Sequence, residues 1–143
     1  MLIKQISVFI ENGRGSLARL SGALGAAGVN LVALSVADTA HYGIVRCVTA
    51  QTQQAVEALK SDGYIVRTTD VLAVCVPDVA GGLANVLSIL EQGNVFVEYL
   101  YPFVRSTDDG ALIAVRVVDT NSAIAALTES GVRLLAQEEV AKL

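Results

Sequence analysis

Apolar residues recur along the 143-residue chain in two rhythms. Ile6, Val8 and Ile10 alternate with polar or exposed positions, which predicts a half-buried strand. Leu17, Leu20 and Leu24 fall at three- and four-residue spacing, the stripe of an amphipathic helix. Residues 31–37 are rich in β-formers, Tyr42-Gly43 supplies a turn, and residues 44–49 read as another strand. Thr52 is placed to cap a second helix running through Leu59, with Gly63 as its stop. Residues 64–69 give a last strand. The order is strand, helix, strand, strand, helix, strand.

The second half repeats it. Ala55 to Gly63 reads like Ala123 to Gly131, and Val8-Phe9-Ile10 with Gly15-Ser16-Leu17 matches Val74-Cys75-Val76 with Gly81-Gly82-Leu83. Elements are expected at 71–76, 83–92, 95–103, 111–118, 121–130 and 132–138, with residues 106–110 lengthening one hairpin. The pattern predicts an α+β chain of two tandem modules, 1–70 and 71–143, each on the ferredoxin-like βαββαβ plan. Helices should cover one face of each antiparallel sheet. Only Asp70 punctuates the passage between the repeats, so the modules should pack side by side as a pseudo-twofold pair.

Composition narrows the partners. The chain is 53% hydrophobic but only 5% aromatic, so aliphatic packing dominates. Unbroken apolar runs such as 71–76 fall far short of the roughly 18 residues that span a bilayer, so no membrane is expected. The surplus of apolar residues points to a covered surface, most simply in a homodimer. A net charge of −4 argues against nucleic acid. Residues 1–70 carry six basic and five acidic side chains, residues 71–143 four and nine. The N-terminus lacks the layout of a signal peptide, which predicts a cytoplasmic protein.

Catalytic groups are sparse. Cys47 and Cys75 lie in apolar strand-like runs and read as buried small hydrophobes. Thiol catalysis would need His41, the single histidine, beside one of them; its place in a turn argues otherwise. Asp108-Asp109 reads as a turn and Glu138-Glu139 as solvated charge. Metal ligands lack usable spacing, so neither metal nor cofactor is expected.

The stretch 11–31 is rich in glycine for a helical segment. Gly13 and Gly15 flank Arg14 where a strand turns into a helix, and Ser16 can cap that helix. Free N–H groups and the helix dipole there favour an anion. Gly22 and Gly25, with Ala18, Ala23 and Ala26, give the helix a bare face. Each interior glycine costs about 0.5–1 kcal/mol relative to alanine, which close approach of a helix or ligand would offset. Gly28 ends the helix and Asn30 opens the next strand. Neither GxGxxG nor GxxxxGK[ST] occurs, and local chemistry alone is equally met by a tight turn without a ligand.

Glu11-Asn12-x-x-Gly15-x-Leu17, then Leu20, Leu24 and Gly28-x-Asn30-Leu31, resembles the ACT domain, a regulatory module of amino-acid metabolism. Asp78-Val79-Ala80-Gly81-Gly82-Leu83, with Leu87, Leu90 and Gly93-Asn94, is similar, so the resemblance covers both repeats. It implies a small amino-acid effector bound where modules meet. The turn residues Asn12, Gly13, Arg14, Gly15 and Ser16 would hold its carboxylate, and Asn30 would orient it. Asn94 is an approximate counterpart of Asn30. Arg14 and Ala80 stand where the family often has proline, and the Arg14 guanidinium can grip a carboxylate with two prongs.

In residues 96–103, alternation places Phe96, Glu98 and Leu100 on one side and Val97, Tyr99 and Tyr101 on the other. Pro102 should end that strand or mark an edge. Either the segment is packing, or Glu98 or Tyr99 faces the first turn and lines its pocket. The implied protein is a non-catalytic regulator that binds a small amino acid. The alternative is a regulatory subunit acting on a partner enzyme; Ala37-Asp38-Thr39 is also similar to the acetolactate synthase small subunit. More remotely, it is a small enzyme on this scaffold.

Overall fold

The computed structural model describes residues 1–143. In chain order the elements are β1 (Ile3–Glu11), α1 (Ser16–Ala26), β2 (Leu31–Asp38), β3 (Tyr42–Thr49), α2 (Thr52–Ser61) and β4 (Ile65–Val76). There follow α3 (Gly82–Gln92), β5 (Val97–Thr107), β6 (Gly110–Val117), α4 (Thr120–Glu129), β7 (Leu134–Leu135) and α5 (Gln137–Val140). No helix is long and apolar enough to cross a membrane.

Both repeats adopt the expected order, and they share a strand. β4 runs unbroken through the junction: residues 65–71 pair with β1, and residues 72–76 pair with β6. The strand order is β1-β3-β2-β5-β6-β4-β7, with β4 also returning to β1. A single strand that belongs to both ends of this series forces the sheet to curl into a closed ring. The modules also meet side by side, where Ala33 of β2 pairs with Phe103 of β5.

The ring separates three cores. Ile6, Val8 and Ile10 point outward and pack with Leu20, Leu24 and Leu59 beneath α1 and α2. Leu72, Val74 and Val76 do the same beneath α3 and α4, with Leu90 and Leu127. Inside the ring lie Ile3, Val48, Val71, Ala73, Tyr101, Phe103, Ala114 and Leu135, with Val140 of α5 among them. Cys47 is in the first outer core and Cys75 in the inner one, both as buried thiols.

Local chemistry departs from the sequence reading at several points. Ser16 and Thr52 are the first helical residues rather than caps; the caps are Gly15 and Gln51. Gly28 and Gly63 do stop their helices in left-handed conformation. A Cβ on Gly22 or Gly25 would meet nothing within 4 Å, so neither glycine answers a close neighbour. The final strand expected at 132–138 is only β7, because the chain turns there into α5. β5 neither ends at Pro102 nor lies at an edge; its register with β6 slips between Pro102 and Ser106 instead.

Candidate functional site

The glycine turns of the two repeats share one geometry. Gly15 has φ of 81° and Gly81 has 83°, a left-handed conformation that glycine adopts without strain. Each turn is closed by a short hydrogen bond, Ser16 N–H to the Gly13 carbonyl at 3.1 Å and Gly82 N–H to the Val79 carbonyl at 3.0 Å. The next N–H groups, of Leu17 and Ala18 in α1 and of Leu83 and Ala84 in α3, find no acceptor within the chain. Open donors at a helix start attract an anion.

The first turn is also anchored. Asn12 donates its backbone N–H to the His41 carbonyl at 3.2 Å and its side-chain amide to the carbonyls of Thr39 and Tyr42. That amide is therefore committed to holding the turn against the β2–β3 hairpin. Arg14 is exposed and makes no ion pair, and Leu17 is half exposed.

Beside this turn opens a cleft of about 870 Å³. Arg19 and the helix start offer positive character, Glu11 and Asp62 offer carboxylates, and Phe9, Ala23, Tyr42 and Tyr64 give apolar walls. All its lining residues belong to the first repeat, and only Glu11 and Ser16 were expected there. Arg19, Asp62 and Tyr64 had no signal in the sequence, since they converge only when α1, α2 and β4 pack.

Asn30 and Arg14 do not share a site. Glu11, which leads into the first turn, pairs with Tyr42 at one end of β3, whereas Leu31 pairs with Thr49 at the other. Seven residues of strand separate those rows by about 23 Å. Around Asn30, the Gln51 amide oxygen accepts its N–H at 3.3 Å and the Thr49 hydroxyl donates to its carbonyl at 2.7 Å. Because β2 and β5 run antiparallel, Asn30 and Leu31 lie at the end where β5 finishes, near the second turn; the first turn lies at the end where β5 begins.

Asn94 is not the counterpart of Asn30 either. It carries a positive φ of 55° and stops α3, as Gly28 stops α1. Val95 N–H then bonds the Leu90 carbonyl at 2.9 Å, as Val29 N–H bonds that of Leu24 at 3.0 Å. The structural mate of Asn30 is therefore Phe96, which is 68% exposed. A shallower depression of about 370 Å³ adjoins Asn94 and Phe96. In the second turn, Asp78, Val79 and Ala80 stay exposed, while Gly82 is pressed against the Pro77 carbonyl.

Glu98 and Tyr99 point away from the first turn. Glu98 pairs with Arg116 at 2.9 Å. A register slip between Val97 and Tyr99 turns Val97 toward the α3–α4 core. Tyr99 faces the interior of the ring, where the Gln5 amide donates to its hydroxyl at 2.9 Å and Arg46 lies 3.8 Å over its ring.

Burial disfavours the reactive thiolate form at both cysteines. Burial pushes Cys47 up to about 12, and it raises Cys75 as well. A thiol held protonated is inert.

These features have recognisable relatives. Protein BT0572 from Bacteroides thetaiotaomicron is similar over 100% of this chain and 98% of its own, at 36% identity and a TM-score of 0.91. The ligand-free regulatory subunit of aspartate kinase from Thermus thermophilus matches at 17% identity and a TM-score of 0.67, over 91% and 92% of the two chains. That of Thermus flavus matches at 16% and 0.61, over 90% and 92%. The latter two show a shared fold. Among curated proteins none is significantly similar. A sequence model described as an ACT domain pair matches residues 1–143. The chain belongs to the ACT domain pair family.

Proposed function

We propose that the protein is a non-catalytic sensor of a small amino acid, bound in the cleft beside the first glycine turn. The observation that carries this reading is the match between the cleft and a zwitterion. Arg19 and Ser16 at the start of α1 suit a carboxylate, Glu11 and Asp62 suit an ammonium, and the aromatic walls suit a modest side chain. The second turn offers donors without such a cleft, so one ligand per chain is expected. Control requires the ligand to prefer one arrangement of the modules, and the shared strand β4 provides a mechanical link between them.

Isothermal titration against the twenty amino acids tests this. A single site that Arg19→Gln weakens is the expected result, and silence across the set at millimolar concentration would overturn it. The similarity in fold and length to aspartate kinase regulatory subunits supports a second reading, in which the output passes to a partner enzyme. Recovery of a catalytic chain with the tagged protein from native extract, sensitive to the amino acid found by titration, is the corresponding test.

A further inference from the structure

The two repeats differ on the sheet face that points away from the helices. In the second repeat, Leu135, Ala73 and Ala114 lie side by side on β7, β4 and β6. All three are apolar and buried, and Val140 of α5 and Leu143 close over their cluster. The matching row of the first repeat is Arg67, Ser7 and Arg46 on β4, β1 and β3. Nothing in the chain plays the part of α5 there: Arg67 is exposed, and Ser7 and Arg46 are half-buried.

That row consists of donors. Neither arginine forms an ion pair; the four ion pairs use Lys4, Arg116 and Arg133. Ser7 Oγ accepts from the Gln5 amide at 3.1 Å, which leaves its own proton available. Arg46 is steadied by stacking over Tyr99. The neighbouring row outward is apolar, Ile65, Phe9 and Ile44, and Ile65 is 66% exposed. Beyond it stand Tyr42 and the carboxylate of Glu11, which keeps the anionic end of a ligand toward the arginines.

We propose that this face is a second binding site, for a small organic anion whose charged group bridges Arg46 and Arg67 and whose apolar body lies over Phe9, Ile44 and Ile65. Guanidinium forks two strand spacings apart, about 9.6 Å between backbones, can converge on one carboxylate or phosphate. A second copy of the chain is a poor occupant, because twofold packing of this face would gather four guanidinium groups. The site borders the amino-acid cleft and shares Phe9 and Ile65 with it, but its charge is supplied by Arg46 and Arg67, which do not line that cleft, rather than by Arg19 and the start of α1.

The test titrates 15N-labelled protein with 4-methylpentanoate, its neutral amide, inorganic phosphate and the octapeptide of residues 136–143. We expect the carboxylate to shift the amides of Ser7, Phe9, Arg46 and Arg67 while the neutral amide does not. Arg67→Gln should weaken it about tenfold or more, the loss of one charge-assisted contact, and Arg19→Gln should leave it unchanged. Arg67 is exposed, so its replacement is not expected to disturb folding, and a thermal melt verifies this. Equal binding of the neutral amide, indifference to Arg67→Gln, or shifts confined to Leu17 and Ala18 would overturn the proposal. So would no binding by any probe, phosphate binding as tightly as the carboxylate, or tighter binding of the octapeptide. Amino-acid binding lost by Arg19→Gln but kept by Arg67→Gln, beside a silent anion titration, would sink this site alone.

Discussion

Tyr101 donates its hydroxyl to the Gln5 side-chain oxygen at 2.7 Å across the interior of the ring, joining the second repeat to the first. Gln5 is fully buried, and its amide nitrogen serves Tyr99 and Ser7, so every polar atom there is satisfied. Tyr101→Phe removes the only donor to that oxygen and should cost about 1–3 kcal/mol in a denaturant melt, with m unchanged. Gln5→Leu combined with Tyr101→Phe should cost less than the sum of the singles, because no orphaned acceptor remains. Strict additivity would show that the bond does not couple the modules.

Gly22 and Gly25 offer a prediction of opposite sign. Both sit inside α1 with ordinary backbone angles and open space where a Cβ would be. Alanine at either position should stabilise the protein by about 0.4–1 kcal/mol, through lower entropy of the unfolded chain. A loss on thermal melting would indicate that this bare helix face is covered in solution.

The repeats were readable because each sheet has one helix-covered side, so the Ile6-Val8-Ile10 alternation and the Leu20–Leu24 spacing survive folding. Leu17 falls outside the stripe: in the first turn of α1 it is 48% exposed, while Leu20 and Leu24 are buried. Asn94 misled because asparagine is both a ligand-orienting amide and a tolerable left-handed helix stop, and backbone geometry decided the matter. Val97 leaves the side it was expected to share with Tyr99 and Tyr101 because one register slip reverses the alternation there. Arg46, Ser7 and Arg67 carried no signal at all, since strand pairing alone makes them neighbours.

The glycines of the turns should be intolerant for different reasons. A Cβ at Gly82 would collide with the Pro77 carbonyl, and backbone on that side cannot yield cheaply. Gly82→Ala should cost about 1–3 kcal/mol and loosen the start of α3. Gly15→Ala has room, with Arg19 at 3.4 Å, but it forces a left-handed alanine for about 1–2 kcal/mol. Gly15→Ala should also weaken the amino acid, whereas Gly82→Ala should not. Amide exchange separates the two, reporting on each helix start individually.

Acid stability should depend on two exposed carboxylates at helix starts. Asp119 accepts the Ser122 N–H at 3.0 Å and its hydroxyl at 2.7 Å, which lowers its pKa. Glu139 accepts the Ala136 N–H at 2.8 Å and an Arg133 guanidinium N–H at 2.9 Å, with the same consequence. A depressed folded-state value means that the unfolded chain takes up protons first as pH falls. Their contribution is therefore complete above the ordinary carboxylate range, about pH 4, and drains away below it. Asp119→Asn with Glu139→Gln should flatten the acid limb of stability against pH while preserving cap geometry. An unchanged limb would mean that these carboxylates titrate alike in the folded and unfolded chain, and that acid unfolding starts elsewhere.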